Sequence, residues 1–183
     1  MIHPIVKFGN EALRQKATPV AEVTDTIRKL AMDMLETMYA AKGLGLAAEQ
    51  IGRTECMCVI DVPLEVEKEA CREANAPVAM PLVLINPEIT AHEGKQRNDE
   101  GCLSFPEIGA AITRANQVTV AFTALTGERQ TITVCGLLAR AIQHEVDHLN
   151  GILLVDKMSA IQKLSVSGQL KRLQARSKCK EEK

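Results

Sequence analysis

Apolar residues recur three and four positions apart in three stretches of the chain, which is the spacing of one face of an α-helix. This pattern predicts helices over residues 25–42, 136–149 and 158–177. In the first of them the apolar stripe consists of Ile27, Leu30, Ala31, Met34, Leu35, Met38 and Tyr39. A stripe of this width predicts a helix that buries one face against the rest of a globular domain.

Shorter runs of β-branched and apolar residues lie between these helices. They predict strands near residues 56–61, 82–89, 117–125 and 129–135. The last two flank Thr126-Gly127, a pair typical of a hairpin turn. Residues 63–81 are charged and bounded by prolines, so we expect a surface excursion there. The elements together predict an α+β fold, with antiparallel strands around a central helix and a helix at the C terminus.

Composition narrows the class of protein. With 183 residues and 46% apolar content, the chain is the size of one globular domain. Its formal charge of −1 does not indicate an overall nucleic-acid-binding surface. No apolar run approaches the ~20 residues of a membrane span, and no signal or transit peptide is expected. Six cysteines without a signal peptide favour a reducing cytoplasm over a disulfide scaffold.

The first candidate functional motif is an HExxH pattern on the predicted helix 136–149, His144-Glu145-Val146-Asp147-His148. Residues four apart share a helix face, so both imidazoles can reach one divalent ion and the glutamate can reach a water bound to it. Such an ion lowers the pKa of the water toward ~7. The alternative is a chance pentad on an amphipathic helix, because histidine and glutamate are ordinary helix residues.

A catalytic site of this kind takes three protein ligands, so a third must be found. The extended pattern HExxHxxGxxH continues through Gly151 but has Leu154 in the last histidine position, which excludes a metzincin protease. Cys102 stands out among the candidates, because it lies in the small-residue segment Glu100-Gly101-Cys102-Leu103-Ser104. The others are Asp156, Glu181 and Glu182 downstream, and His3, His92 and the remaining cysteines upstream.

Three blocks in this order resemble the motifs of the peptide deformylase family. They are Gly43-Leu44-Gly45-Leu46-Ala47-Ala48-Glu49-Gln50, Glu100-Gly101-Cys102-Leu103-Ser104 and Gln143-His144-Glu145-Val146-Asp147-His148-Leu149. The resemblance covers nearly the whole chain, from the opening Ile5-Val6-Lys7-Phe8-Gly9 to the basic C-terminal helix. Three blocks spread over about a hundred residues are far more specific than one HExxH pattern alone.

The resemblance implies a role for each site residue. The metal ligands would be Cys102, His144 and His148. Glu145 would be the general base and acid, with the Gln50 side chain and the backbone N–H of Leu103 donating to the developing oxyanion. The substrate peptide would run along Gly43, Leu44, Gly45 and Gly101.

The activity that the resemblance implies is hydrolysis of the formyl group from N-terminal formylmethionine of nascent peptides, with release of formate. The implied cofactor is one divalent metal ion per chain, usually Fe²⁺, with Zn²⁺, Ni²⁺ or Co²⁺ as substitutes. We expect one catalytic domain over residues 1–183, in which about 171–183 form a basic helix end and tail. That basic segment is either a solvated helix face or a docking surface for the ribosome.

The chain departs from the family's usual pattern at two places. Position 49 is most often proline in the family but is Glu49 here, which either tunes substrate preference or points to solvent. After Pro106 the chain reads Glu107-Ile108-Gly109-Ala110, where the family often has glycine followed by an aromatic or basic residue. These differences concern contacts near the substrate.

The two glycines of the first block are expected to supply positive φ and close backbone approach, so that this segment pairs with an extended peptide. The alternative for Gly43 is a helix C-cap followed by a turn. At Gly45 and Gly101 we expect a buried approach that suits a compact acyl group.

Other functions remain open at this point. A zincin endopeptidase would cleave internal amides, and a noncatalytic paralogue would have lost Glu145, Gln50 or a ligand. A deformylase-like amidase acting on a different formyl or acyl substrate is the main alternative.

For two further pairs of residues we expect structural roles. Cys56 and Cys58 face one side of a strand and are expected to pack as small hydrophobes. Asp147 is expected to pair with Arg114 in support of the metal-bearing helix.

Overall fold

The computed structural model describes residues 1–181, with side chains described through Ser177. A five-stranded sheet has the order β1-β2-β3-β6-β7, β4 and β5 form a separate two-stranded sheet, and all pairs within the sheets are antiparallel. The strands are β1 (Gly45–Ala47), β2 (Met57–Ile60), β3 (Leu82–Glu93), β4 (Gln96–Gly101), β5 (Gly109–Arg114), β6 (Gln117–Thr123) and β7 (Arg129–Cys135). The helices are α1 (Asp25–Ala40), α2 (Glu69–Asn75), α3 (Gly136–Leu149), α4 (Leu154–Lys157) and α5 (Ala160–Glu181).

The three long helices predicted from the apolar spacing are confirmed, and so are the four predicted strands. The hairpin at Thr126-Gly127 is also confirmed: Gly127 has φ 89°, and the N–H of Ala124 donates to the carbonyl of Glu128 at 2.9 Å. The sequence pattern did not predict β1, β4 or β5. In β4 most side chains are exposed, so no apolar alternation marks it as a strand.

Helix α1 is preceded by a capping threonine and followed by a residue in the left-handed conformation. The hydroxyl of Thr24 accepts from the N–H of Ile27, as expected of an N-cap. At the other end Lys42 has φ 57°, and the N–H of Gly43 donates to the carbonyl of Met38 at 2.9 Å. The alternative of Gly43 as the C-cap is therefore wrong, because Lys42 takes the left-handed position.

The segment of residues 63–81, predicted as a surface excursion, also packs against the central helix. It contains α2, and its buried residues pack against the start of α3. The side-chain amide of Asn75 donates to the carbonyl of Cys135 at 3.0 Å, and its oxygen accepts from the N–H of Cys135 at 3.1 Å. This reciprocal pair joins the excursion to the N-cap residue of α3.

Helix α3 lies at the centre of the molecule and packs on the sheet through Leu138, Ala139, Ile142 and Leu149. Cys56 and Cys58 belong to the same apolar cluster, so their predicted packing role is confirmed. On the far side α5 is held against the N-terminal segment, where Ser177 Oγ donates to the carbonyl of Phe8 at 2.9 Å. The arrangement confirms the α+β prediction of antiparallel strands around a central helix with a C-terminal helix.

Within residues 1–181, no helix combines the length and the apolar content that crossing a bilayer would require.

Candidate active site

The two histidines of the HExxH pattern lie on one face of α3, with ring centroids 5.0 Å apart. His148 is 1% exposed, and the side chain of His144 is 11% exposed. Helix α3 starts at Gly136 with φ 68°, and the remote carboxylate of Glu67 accepts from the N–H groups of Leu137 (2.9 Å) and Leu138 (2.7 Å). A carboxylate at a helix N-terminus complements the helix dipole, so Glu67 stabilises the start of the helix that carries both histidines.

Cys102 follows the last residue of β4 and brings a thiol to this face. Its Sγ lies 3.2 Å from Nε2 of His148, and one ligand atom from each of Cys102, His144 and His148 falls within 4.8 Å of the others. Among the side chains described, those of residues 1–177, this is the one group of three close enough to share a metal ion. Two of the other candidates, His3 and His92, lie outside it: His3 is near Asp33, and His92 is exposed on β3.

The chemistry of this donor set fits a divalent metal ion. Burial lowers the pKa of His144, but hydrogen bonds with Cys102 and Glu100 outweigh burial and raise that pKa to about 10. The thiol of Cys102 and the carboxylate of Glu100 therefore favour a proton on the imidazole of His144. Because a metal ion competes with protons for thiolate and imidazole, a divalent cation can take the place of that proton.

Glu145 points into the same space from α3 and is 4% exposed. Burial raises the pKa of its carboxyl to about 7, although the charges of His144 and Arg114 act in the opposite direction. Its buried Oε2 has no hydrogen-bond partner among the described residues. A carboxyl with a pKa near neutrality can both accept and return a proton, as general acid–base chemistry requires.

Gln50 lies in a short 3₁₀ helix, Ala48–Ile51, directly after β1. Its Oε1 accepts from the N–H of Ala47 at 2.9 Å, which fixes the orientation of the amide. Its Nε2 donates toward Cys102 Sγ at 3.5 Å and Ser104 Oγ at 3.2 Å. The structure therefore places an amide donor beside the cysteine.

Leu103 lies in the turn closed by the N–H of Phe105 donating to the carbonyl of Cys102 at 2.8 Å. Its own carbonyl accepts from Lys7 Nζ at 2.7 Å. Its side chain packs against the first glycine of the substrate block, since a Cβ atom on Gly43 would lie 2.7 Å from Leu103 Cδ1. These contacts fix the segment that follows Cys102.

A buried network of charged side chains contacts the site. Glu100 accepts from Arg114 Nε and Nη2 at 2.9 Å each and from Arg140 Nη1, and its Oε2 lies 3.1 Å from His144 Nδ1. Burial raises the pKa of Glu100, but His144 and Arg114 outweigh it and hold that pKa at about 2. Arg114 also donates to Asp147, so the predicted ion pair is confirmed. With Nδ1 of His144 facing Glu100, its Nε2 is left for a ligand.

Sequence patterns alone did not indicate these supporting contacts. Arg140 is 3% exposed and also donates to the carbonyl of Ile112 at 3.1 Å, yet it lies in an ordinary helical pattern. Glu67 lies in a charged stretch far from α3 along the chain. The sequence shows that both residues are charged but not which groups they contact, because these contacts arise only in the folded chain.

A cavity of about 750 Å³ opens onto these groups. The four residues expected along the substrate, Gly43, Leu44, Gly45 and Gly101, all line it. Strand β1 is an edge strand of the five-stranded sheet, so one side of its backbone is not paired within that sheet. An extended peptide can add to such an edge by backbone hydrogen bonds.

Two expectations about the glycines are wrong. Neither Gly43 nor Gly45 has positive φ, so glycine is needed there for close approach and not for a left-handed conformation. Gly45 is half-buried, but Gly101 is exposed, and nothing lies within 4 Å of a Cβ atom added to it. The buried approach expected at Gly101 is therefore absent, because this residue lies at the open wall of the cavity.

The two departures from the family's usual pattern have different positions. Glu49 is 1% exposed, and neither carboxylate oxygen has a hydrogen-bond partner in the described residues, so it does not point to solvent. Burial raises its pKa to about 8. In the loop after Pro106, Glu107 is exposed at the cavity, whereas Ile108 is buried in an apolar cluster.

Comparisons with known proteins agree with one another. The family model described as polypeptide deformylase matches residues 2–164. The chain is 42% identical over 174 residues to a peptide deformylase of Acidobacterium capsulatum, covering 95% of this chain and 96% of that one. It is 47% identical over 156 residues to that of Desulfitobacterium hafniense, covering 85% and 94%.

Solved structures give the same result. The crystal structure of a peptide deformylase from Legionella pneumophila superposes with a TM-score of 0.81 at 39% identity, covering 96% of this chain and 99% of that one. Peptide deformylase from Ehrlichia chaffeensis superposes with a TM-score of 0.84 at 34% identity, covering 94% and 96%.

Proposed function

The chain belongs to the polypeptide deformylase family, and from this premise we propose a role for each residue of its site. It is a metal-dependent hydrolase that removes the formyl group from the N terminus of nascent peptides. The reaction consumes water and yields formate and a free amine. The observation that carries the proposed roles is the approach of the ligand atoms of Cys102, His144 and His148 to within 4.8 Å, beside a buried glutamate.

Cys102, His144 and His148 would hold one divalent metal ion, which we propose to be Fe²⁺ in the cell, with Zn²⁺, Ni²⁺ or Co²⁺ as substitutes. A set of one sulfur and two nitrogen donors suits all four ions. When bound, such an ion supplies a Lewis acid for the formyl oxygen and increases the acidity of water. The contact between Glu100 and His144 Nδ1 holds the imidazole in the orientation that ligation requires.

Glu145 moves the proton. Its Oε2 accepts a proton from the attacking water and delivers it to the amine nitrogen as the C–N bond breaks. A pKa of about 7 suits both halves of this cycle, because the carboxyl is then neither too weak a base nor too weak an acid near neutrality. Burial also keeps bulk water away from the proton in transit.

Gln50 and Leu103 stabilise the negative charge that develops on the formyl oxygen. The Gln50 amide is fixed by Ala47, so its Nε2 needs little reorganisation when that charge appears. The backbone N–H of Leu103 is the second donor, in a segment fixed by Lys7 and by the turn after Cys102. Removing one such donor typically lowers the rate by on the order of a hundredfold or more.

The peptide part of the substrate lies along Gly43, Leu44 and Gly45 as an added strand on the edge of β1, with Gly101 on the other wall. Close packing between Gly45 and Glu145 leaves little space beside the reacting carbon. This favours a formyl group, which has one carbon, over larger acyl groups. The same feature argues against an endopeptidase, whose substrate continues on both sides of the amide that is cleaved.

The test is deformylation of formyl-Met-Ala-Ser by anaerobically purified, iron-loaded protein, with acetyl-Met-Ala-Ser and the Glu145→Ala variant in parallel. We expect release of formate from the formyl peptide alone, and only with Glu145 present. Equal hydrolysis of the acetyl peptide would contradict formyl selectivity. Activity retained in Glu145→Ala would contradict the proposed role of the glutamate.

We also propose that residues 1–183 form one catalytic domain that acts in the cytoplasm, and that about 171–183 contact the ribosome. Lys171, Arg172 and Arg176 are exposed on α5, which supports an electrostatic surface for ribosomal RNA. The side chains of Lys178 and Lys180 lie outside the described residues. Cosedimentation with ribosomes at increasing salt tests this, and binding that persists when the three exposed cations are changed to glutamine would contradict it.

A further inference from the structure

Ser104 lies between the two groups that are proposed to stabilise the oxyanion. It is 0% exposed and directly follows Leu103, whose backbone N–H is one of those groups. Its Oγ accepts from Nε2 of Gln50, the other group, at 3.2 Å. Ser104 itself does not line the cavity, so any effect it has on the reaction passes through its neighbours.

The bond to Ser104 sets the direction in which the Gln50 amide donates. A primary amide has one acceptor oxygen and two N–H groups in a single plane. The oxygen accepts from the N–H of Ala47 at 2.9 Å, and one N–H donates to Ser104. The second N–H is then directed toward Cys102, whose Sγ lies 3.5 Å from Nε2. Because the proposed metal ligands lie on that side, the second N–H is the one that can reach the formyl oxygen.

The backbone on either side of the Ser104–Gln50 bond is fixed by the N-terminal segment. The N–H of Phe8 donates to the carbonyl of Ser104 at 3.0 Å, and the N–H of Val6 donates to the carbonyl of Gln50 at 2.8 Å. These bonds do not involve the serine hydroxyl, so they remain when the hydroxyl is removed. The hydroxyl therefore contributes to the direction of the amide rather than to the path of the chain.

We propose that Ser104 is a positioning residue that directs the amide of Gln50 at the formyl oxygen. The inference rests on the proposed function, because it assumes that Gln50 donates to that oxygen. Without the hydroxyl the amide keeps its bond to Ala47 but loses the bond that directs its N–H groups. A donor of this kind is effective because it needs no reorganisation when charge develops. The loss therefore falls on turnover and not on binding of the peptide.

Ser104→Ala should lower kcat about tenfold and change KM less than about twofold, since the positioned donor acts in the transition state. Formate release from formyl-Met-Ala-Ser by the metal-loaded variant gives both constants. Thr37→Val is the matched control, because it removes another buried hydroxyl, one that donates to the carbonyl of Asp33 at 2.7 Å. Thr37 lies on α1 and does not line the cavity, so this variant should keep the wild-type kcat.

A double-mutant cycle separates positioning of Gln50 from a general loss of structure. Gln50→Ala alone should lower kcat about a hundredfold. Because Ser104 acts through Gln50, adding Ser104→Ala to that variant should lower kcat by less than about twofold more. A further loss of the full tenfold would show that Ser104 acts independently of Gln50 and would overturn the inference. Wild-type kcat in Ser104→Ala alone would overturn it as well.

A second measurement does not depend on activity. In ¹⁵N spectra of the zinc-loaded protein, the side-chain amide signals of Gln50 are identified by their absence in Gln50→Ala. They should shift in Ser104→Ala and stay in place in Thr37→Val, and unchanged signals in Ser104→Ala would also overturn the inference. Failure of the proposed function gives a different result, in which the wild type releases no formate or Gln50→Ala keeps the wild-type kcat.

Discussion

A Cβ atom added to Gly45 would lie 2.8 Å from Cδ of Glu145, and closer still to its Oε1. Glycine at this position is therefore what allows strand β1 to lie directly against the buried carboxylate. The edge strand that is proposed to bind the peptide and the group that is proposed to move the proton are in van der Waals contact. A formyl group on a peptide paired with β1 is in this way brought to the carboxylate by the backbone itself.

Gly45→Ala should lower kcat about a hundredfold while the protein stays folded and loaded with metal. The added methyl group displaces the Glu145 carboxyl, and a shift of about 1 Å in a reacting group costs on that scale. The measurement is kcat for a formyl peptide together with the metal content of the same preparation. Gly168→Ala is the control, because nothing lies within 4 Å of its Cβ position. Wild-type kcat in Gly45→Ala would contradict the steric argument.

Cys102→Ala and Glu145→Gln should separate metal binding from turnover. Without Cys102 the site loses its thiolate and keeps two histidines, so we expect metal content after dialysis to fall well below one ion per chain. Glu145→Gln keeps all three proposed ligands and removes the proton carrier, so it should retain the metal and lose at least a thousandfold in kcat. Full metal occupancy in dialysed Cys102→Ala would refute the ligand assignment.

Local patterns were sufficient to predict the central helix and its two histidines. The i, i+4 spacing of His144 and His148 and the apolar residues around them are properties of one segment. The hairpin at Thr126-Gly127 was predictable for the same reason. The position of Cys102 was different: its motif singled it out, but only the pairing of β4 with β5 brings its thiol to α3.

The residues that could not be identified from the sequence contact segments that are far away along the chain. Glu67 caps a helix that begins about 70 residues later, and Arg140 joins α3 to carbonyl groups on two strands. The polar strand β4 has no apolar alternation to mark it. The sequence left open whether Glu49 points to solvent, and in the structure the 3₁₀ helix that carries Gln50 turns it into the interior instead.

Arg114→Gln should lower the free energy of unfolding by about 3 kcal/mol. Arg114 is buried and donates to both Glu100 and Asp147, so its loss leaves two carboxylates with fewer partners. Urea unfolding of the metal-loaded protein at pH 7 measures the change. Arg97→Gln removes an exposed arginine from the neighbouring strand β4 and should stay within about 0.5 kcal/mol of wild type. Equal stabilities of the two variants would show that the buried network does not support the fold.

Glu49 should make the protein less stable as the pH rises through neutrality. Its pKa is raised by burial from the ordinary 4.5 to about 8 in the folded state, and the charges of Glu145 and Glu55 act in the same direction. Between these two values the folded chain holds a proton that the unfolded chain has released. The free energy of unfolding therefore falls as the pH rises from about 4.5 to about 8, by as much as about 3–5 kcal/mol in total.

Glu49→Gln isolates this contribution, because an amide keeps the shape of the protonated carboxyl and does not ionise. We expect the variant to match wild type within about 1 kcal/mol near pH 5 and to exceed it by several kcal/mol at pH 8.5. Urea unfolding at pH 5.5, 7.0 and 8.5 gives the difference at each pH. Glu22→Gln, which alters an exposed carboxylate, should run parallel to wild type throughout. If Glu49→Gln also runs parallel, then Glu49 ionises normally in the folded protein and its burial is relieved by motion of the 3₁₀ helix.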